Sequence, residues 1–492
     1  MVDGAFLFVK KKTLLCETVL AKTLAELRAT RDSVVGADMV ELRLDGVSDP
    51  DIAGALAGRR LPVVVTCRPT WEGGLFDGSE EERQKLLEEA LRQGAEYVDV
   101  EHQSRFSDAM IAKGRDRILL SMHDFDGVPR DLNQRVRNMR SSGAGIIKIA
   151  VATKNLSDTF PLRDIATEAP AVVVGMGPSG LPTRILALRF GSCWTYSGNG
   201  FAPGQISTAR MLDEFYFRKI SSDTSVYGVV GNPVVDSLSP VIHNAAFQAA
   251  GVNSVYLPLQ TETLEDFLAF AKFMGIDGAS ITIPYKREAL QHAKTIDSLA
   301  KRVGAINTLK KTSMGWVGIN TDVAGFLVPL VKKIKSTSGD LKGVRASVLG
   351  AGGAASAVVA GLAAKSASVT VHARKVDRAR DLSGAFNVQT GPWPPKSGSW
   401  DILVNCTPLG SYGEVDKSPM QGSRLDGKLV YDLIYSPQET LLMREAHLAG
   451  CEVIGGLDML IEQARQQFLW WTDQEPSVEA ITKAVKKRLD VE

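Results

Sequence analysis

Through the first two hundred or so residues, eight short apolar runs rich in β-formers alternate with longer polar segments of helical period. No other feature restricts the fold as tightly. The runs are Thr13–Val19, Met39–Leu44, Pro62–Cys67, Tyr97–Glu101, Arg117–Met122, Ile146–Val151, Ala171–Gly177 and Cys193–Tyr196. Between most of them lie stretches such as Glu80–Gln93, where Glu, Lys, Arg and Leu recur at helix spacing. Strands joined by helices pair in parallel, and eight such units in about 220 residues is the count of a (β/α)8 TIM barrel. An open doubly wound sheet is the competing arrangement.

The polar stretch Arg218–Ser225 reads as a linker, and α/β alternation resumes behind it with Val226–Gly231, Tyr256–Leu259, Ser280–Ile283, Ala305–Thr308 and Trp316–Asn320. A second restart at Ala346–Leu349 leads to Val369–His372, Ile402–Asn405, Leu429–Leu433 and Glu452–Ile454. At roughly 150 residues per domain, 492 residues fit three folding units. With 57 basic and 56 acidic residues the net charge is +1, so nothing favours nucleic acid or an anionic membrane as partner. No apolar run approaches the ~18 residues of a membrane span. The start, Met1–Leu20 with its Lys10–Lys12, has no secretory leader pattern. Five scattered cysteines without a CxxC pair support neither a disulfide framework nor a thiolate metal site. These features predict a cytoplasmic-type protein that needs no metal.

Polar residues gather at the ends of the first eight runs: Glu41, Arg43, Arg68, Glu101, His123, Lys148 and Arg184. In a parallel barrel those ends form one mouth. Glu41 and Arg43 are two apart and so leave the same strand face, where burial is costly unless partners or a substrate satisfy them. Each alone could be a structural ion-pair member; seven together point to a site. Lys148 has apolar neighbours in Gly145-Ile-Ile-Lys-Ile-Ala150. Burial disfavours an ammonium ion, and a neutral amine attacks a ketone to form a Schiff base. His123 suits a general base, and the arginines suit a carboxylate. The residues predict proton abstraction from an imine of a keto acid.

Glu41-Leu-Arg-Leu-Asp45, Cys67-Arg-Pro-Thr-Trp-Glu-Gly-Gly74, Tyr97-Val-Asp-Val-Glu101, Ser121-Met-His123, Ile147-Lys-Ile149 and Ala202-Pro-Gly-Gln205 together resemble type I 3-dehydroquinate dehydratase. The resemblance implies that Lys148 forms the imine and that His123 removes the adjacent proton and assists loss of water, oriented or tuned by Glu101. It also implies that Glu41, Arg43 and Arg68 hold ring hydroxyls and that Arg184 and Gln205 take the carboxylate. Phe201 stands where the family usually has a serine before Ala-Pro-Gly-Gln, which predicts a weakened carboxylate grip.

In the second half, Gly350-Ala351-Gly352-Gly353-Ala354 follows a strand and opens an Ala-rich helix, as a pyrophosphate loop does. About 20 positions on, an acid would favour NAD. This chain has Arg374, with Lys375 and Arg378 behind it, which favours the 2′-phosphate of NADP over a merely solvated basic face. Gly231-Asn-Pro-Val-Val-Asp-Ser-Leu-Ser-Pro-Val-Ile-His-Asn244, Thr282-Ile-Pro-Tyr-Lys286, Gly304-Ala-Ile-Asn-Thr308, Gly318-Ile-Asn-Thr-Asp322, Asp432-Leu-Ile-Tyr435 and Gly456-Leu-Asp-Met-Leu-Ile-Glu-Gln463 resemble shikimate dehydrogenase. That resemblance implies a catalytic pair Lys286 and Asp322, carboxylate-binding Ser237 and Ser239, and substrate contacts from Thr282, Asn307, Tyr435 and Gln463.

The expectation is a barrel over 1–222, a substrate-binding domain from 226–335 and 464–492, and a Rossmann domain over 336–463. Its two reactions would be consecutive: 3-dehydroquinate to 3-dehydroshikimate, then to shikimate with NADPH, in a bacterial cytoplasm or a plastid stroma. Small molecules are the expected partners. The alternatives are a shikimate or quinate dehydrogenase with an impaired dehydratase, and a non-catalytic metabolite sensor.

Overall fold

The computed structural model describes residues 12–335 and 340–490. The pair Lys10–Lys11 and the expected domain edge at 336 lie outside the described residues. One compact unit comprises the chain to Pro240 with Asn253–Ile276; the other comprises Val241–Val252 and the chain from Asp277 onward.

The first unit opens with eight parallel strands: β1 (Leu14–Leu20), β2 (Met39–Arg43), β3 (Val63–Thr66), β4 (Tyr97–Glu101), β5 (Ile118–Asp124), β6 (Ile146–Ala152), β7 (Ala171–Met176) and β8 (Trp194–Ser197). Their order is β7-β6-β5-β4-β3-β2-β1-β8, with helices on the crossovers. β7 and β8 meet at the seam through Cys193 N–H donating to Ala171 O, 2.9 Å, while Ser192 Oγ accepts from Val173 N–H. The alternating apolar runs therefore close into a barrel, not an open sheet.

Strand alternation sorts the interior. Cys16, Met39, Val64, Leu119, Ile146, Val172 and Trp194 pack into one apolar cluster. Two residues further along the same strands come Thr18, Glu41, Thr66, Ser121 and Lys148, so the interior becomes polar toward the strand C-termini. β5 extends past its predicted end, and His123 lies within the strand. The same unit includes β9 (Ser225–Gly231) paired in parallel with β10 (Ser254–Gln260), and the helix Leu264–Met274.

In the second unit β11 (Ile276–Ile281) runs antiparallel to β13 (Thr308–Thr312), which forms a hairpin with β14 (Gly315–Ile319); β12 (Thr295–Ile296) flanks β14. The predicted strand Ala305–Thr308 thus sits further along the chain, because the run up to Asn307 serves as a polar turn. A parallel sheet follows: β15 (Arg345–Leu349), β16 (Ser368–His372), β17 (Gln389–Gly391), β18 (Ile402–Asn405), β19 (Leu429–Asp432) and β20 (Glu452–Ile454). Its order, β17-β16-β15-β18-β19-β20, is the doubly wound Rossmann order. Val358, Val359 and Leu362 of the helix Gly353–Ala364 cover one face with Phe326 and Leu330; Trp400, Leu442 and Ala446 pack against Leu403 and Val430 on the other.

Candidate active sites

At the C-terminal mouth of the barrel, one cavity is lined by Glu41, Arg43, Arg68, Glu72, His123, Lys148, Arg184 and Gln205, with Tyr196, Phe125 and Phe201. Lys148 is buried, but its immediate surroundings are not apolar as its sequence neighbours suggested. Ile147 and Ile149 leave the opposite strand face. Lys148 Nζ lies 3.0 Å from Asp99 and 3.4 Å from Glu41, and 4.4 Å from the centre of the Tyr196 ring. Thr18 and Thr66 donate to Glu41, and Arg43 forks onto Asp45.

The structure corrects one assignment. His123 meets Glu72, not Glu101. Glu72 Oε1 accepts the His123 backbone N–H at 2.8 Å and lies 2.9 Å from the ring Nδ1, which leaves Nε2 for chemistry. Glu101 is instead held between Arg68, 2.7 Å away, and Arg83. The reason lies in Gly73-Gly74. Gly73 has φ +75°, and a Cβ on Gly74 would fall 2.0 Å from Arg68 O, so only glycines let this turn fold back and bring Glu72 over β5. The carboxylate of Cys67-Arg-Pro-Thr-Trp-Glu-Gly-Gly74 was thus visible beside its glycines. Asp99 was missed too, although period-two alternation places it on the same face as Glu101.

The electrostatics follow from burial. Burial, then the charges of Arg68 and Lys148, hold the His123 imidazole well below its ordinary range, so it is a neutral base. Burial pushes Glu72 up to about 8 against the pull of Arg68. Burial also raises Glu101, against the opposing pull of Arg68 and Arg83. Burial would raise Asp99, yet Arg68 and Lys148 outweigh it and keep the carboxylate ionised.

Arg184 lies on the short helix Leu181–Ile185, not at a strand end. It is 2% exposed and meets no carboxylate among the described residues. Its Nη atoms donate to Tyr196 O at 3.2 Å and Pro203 O at 3.4 Å, its Nε has no partner, and burial lowers it to about 10. Such a cation calls for an anion. Gln205 donates to Thr18 Oγ and Ser197 O. Phe201, 42% exposed, lines the cavity beside it.

In the second unit Lys286 Nζ and Asp322 Oδ2 are 2.6 Å apart, and Asn307 donates to Asp322 Oδ1 at 2.7 Å. Thr321 N–H donates back to Asn307 Oδ1, which orients the amide. Thr282 opens the turn that carries Lys286. Gln463 is buried against Gly325, one turn along the helix that begins at Asp322. Tyr435 follows β19, on a loop braced by Asp432, which accepts from Asn405, Thr440 and Ile434 N–H. Ser237 and Ser239 belong to the first unit, where Ser237 Oγ accepts the Ser239 N–H.

The glycine loop follows β15. Gly350 has φ +108° and abuts the Cys406 carbonyl, Ala351 packs on the core, and a Cβ on Gly352 would enter open space. Gly353 and Ala354 open a helix whose start has no side-chain cap, so its first N–H groups can receive a pyrophosphate. A Cβ on Gly353 would lie 3.8 Å from Lys286 Cδ, which puts this helix start beside the Lys286–Asp322 pair. Arg374, Lys375 and Arg378 are exposed beyond β16, and none is ion-paired among the described residues. These residues fit a phosphorylated dinucleotide.

Family models match over three segments: type I 3-dehydroquinase at 15–222, the shikimate dehydrogenase substrate binding domain at 229–309 and the shikimate 5'-dehydrogenase C-terminal domain at 456–486. A bifunctional 3-dehydroquinate dehydratase/shikimate dehydrogenase, chloroplastic, of Arabidopsis thaliana is 34% identical over 95% of this chain and 83% of its own length. A shikimate dehydrogenase (NADP(+)) of Nostoc sp. is 36% identical over 55% of this chain and 99% of its own. A crystal structure of a shikimate dehydrogenase in complex with NADP+ superposes with a TM-score of 0.51 at 33% identity, covering 55% of this chain and 97% of that one. With family models matching in both halves and a bifunctional relative aligned over 95% of its residues, this chain belongs to the bifunctional 3-dehydroquinate dehydratase/shikimate dehydrogenases.

Proposed function

We propose that Lys148 forms the imine with the ketone of 3-dehydroquinate. The single observation that supports this most is one cavity holding a lysine between two carboxylates, a neutral histidine and a buried arginine short of an anion. Asp99 and Glu41 balance the charge of the protonated imine. His123 Nε2 takes the adjacent proton and returns it to the departing hydroxyl, while Glu72 fixes the ring. Arg184, with Gln205 supporting the loop, grips the carboxylate, and Arg43 and Arg68 face the ring hydroxyls.

In the second reaction, bound NADPH supplies the hydride. Lys286 and Asp322 hold and exchange the alcohol proton, with Asn307 fixing Asp322. Ser237 and Ser239 take the carboxylate of shikimate, and Thr282, Tyr435 and Gln463 contact its ring. Gly350 through Ala354 carry the pyrophosphate, and Arg374, Lys375 and Arg378 the 2′-phosphate. The five free thiols suit a reducing compartment, a bacterial cytoplasm or a plastid stroma. Among the described residues no helix is long and apolar enough to cross a membrane. Small molecules are the partners this reading needs.

Borohydride reduction in the presence of dehydroquinate tests the imine. It should leave a stable mass increment on Lys148 and none on Lys148→Ala, whose shikimate oxidation stays intact. An adduct on another lysine, or none on the wild type, would overturn the assignment.

A further inference from the structure

The segment Asn253–Ile276 lies within the shikimate dehydrogenase match yet shares a compact unit with the barrel. Its helix Leu264–Met274 holds Asp266 in the first turn, where Thr263 Oγ accepts the Asp266 N–H. The Asp266 carboxylate accepts three hydrogen bonds: from Leu156 N–H at 2.8 Å, from Ser157 N–H at 3.1 Å and from Thr261 Oγ at 2.7 Å. Leu156 and Ser157 start the turn that follows β6, the strand bearing Lys148. At the other end of the contact Arg163 donates to Phe273 O at 2.8 Å, and the Phe160 and Phe273 rings stack at 4.2 Å.

From that turn, direct contacts lead into the dehydratase cavity. Ser179 Oγ donates to Lys154 O at 2.9 Å, and Thr153 donates twice to Met176 O. The next residue, Gly177, donates to Pro203 O at 3.1 Å, and Gly204 packs so close that a Cβ there would lie 2.5 Å from Gly177 O. Pro203 O is also one of the two acceptors of Arg184. The loop Phe201–Gln205 is therefore seated on a platform that Asp266 braces from outside the barrel.

We propose that Asp266, contributed by the dehydrogenase half, is a positioning residue for the dehydratase: it holds the β6 and β7 loops on which the carboxylate loop rests. The proposal rests on the assignment of Arg184 to the substrate carboxylate. Lys148 and His123 stand on strands and do not depend on these loops, so Asp266 governs binding more than chemistry.

The test is a double-mutant cycle on the full chain. Asp266→Ala should raise the KM for dehydroquinate about tenfold, the size of effect a packed network transmits, with kcat within about twofold and shikimate oxidation unchanged. Asp266→Asn keeps one acceptor oxygen and should show a smaller rise of the same kind; it carries the test if the alanine variant does not fold. In an Arg184→Met background, Asp266→Ala should add nothing further to KM. A fully multiplicative effect in that background, an effect on kcat alone, or an unchanged KM in both Asp266 variants would overturn the proposal. Arg184→Met with unchanged KM would instead refute the carboxylate assignment, which separates the two failures.

Discussion

Arg184 should destabilise the protein that it equips to bind. Burial alone depresses its guanidinium from the ordinary value to about 10, and two long carbonyl bonds offset little of that. At about 1.4 kcal/mol for each tenfold change in a proton equilibrium, that depression costs the folded state about 3 kcal/mol at neutral pH. A carboxylate in contact would recover much of this, which corresponds to about a hundredfold in affinity. Arg184→Met removes the charge and keeps an unbranched side chain. In the absence of ligand its unfolding free energy from urea titration should rise, by up to about 3 kcal/mol less whatever the change in packing costs. Its kcat/KM for dehydroquinate should fall about a hundredfold. Added 3-dehydroshikimate, which the dehydrogenase site also takes, should raise the wild-type melting temperature by more than the variant's. A variant that is less stable without ligand, or that product stabilises as much as wild type, would refute the reasoning.

Glu72 and Glu101 should separate: Glu72→Gln lowers kcat about a hundredfold through the ring it holds, whereas Glu101→Gln breaks a buried pair and costs about 3 kcal/mol in urea unfolding, with the smaller loss of kcat. Phe201→Ser should tighten dehydroquinate binding by supplying a hydroxyl beside the carboxylate, seen as a lower KM; an unchanged value would show that the loop holds the carboxylate otherwise. Changing Arg374 and Lys375 together to Ala should weaken NADPH by about 1–3 kcal/mol per contact while sparing NADH, and equal losses in titrations with both would rule out phosphate recognition there. His243, packed on Trp471 and donating to Gln467, is held by burial at about 3. The unfolded chain therefore takes up the proton first, so stability is full above pH 6.5 and is lost as the pH falls from there towards 3, by about 2 kcal/mol at pH 5. His243→Asn should flatten that dependence in urea titrations at pH 7 and pH 5, and an equal slope would exclude it.

Period and spacing made much of this legible. Alternation along β6 aims Lys148 inward beside Glu41, and the offset between the glycine loop and Arg374 marks the end of β16. What escaped depends on loops. Glu72 reaches His123 only because a turn folds back across two strands, and no periodicity encodes such a return. One of the two arginines that hold Glu101 is Arg83, on the helix Glu80–Arg92, which reads in sequence as one more solvated charge. Strand β13 was misplaced, although β14 was not, because Asn307 uses its side chain to satisfy a turn that the apolar pattern runs straight through.

The barrel's hoop is weakest between β7 and β8, where a serine hydroxyl and one backbone bond stand in for a ladder. Seven joints are sewn by full registers of peptide bonds; this one is buttoned. Arg184 lies on the connection from β7 to β8, and the loop Phe201–Gln205 follows β8 and is held to the end of β7 by the Gly177 N–H donating to Pro203 O. A clasp mounted over such a joint can shift with the ligand while the remaining staves, and the lysine they carry, keep their places. Amide hydrogen exchange should accordingly register the fastest opening of the barrel at Cys193 and Val173, and the arrival of a carboxylate should slow it there first.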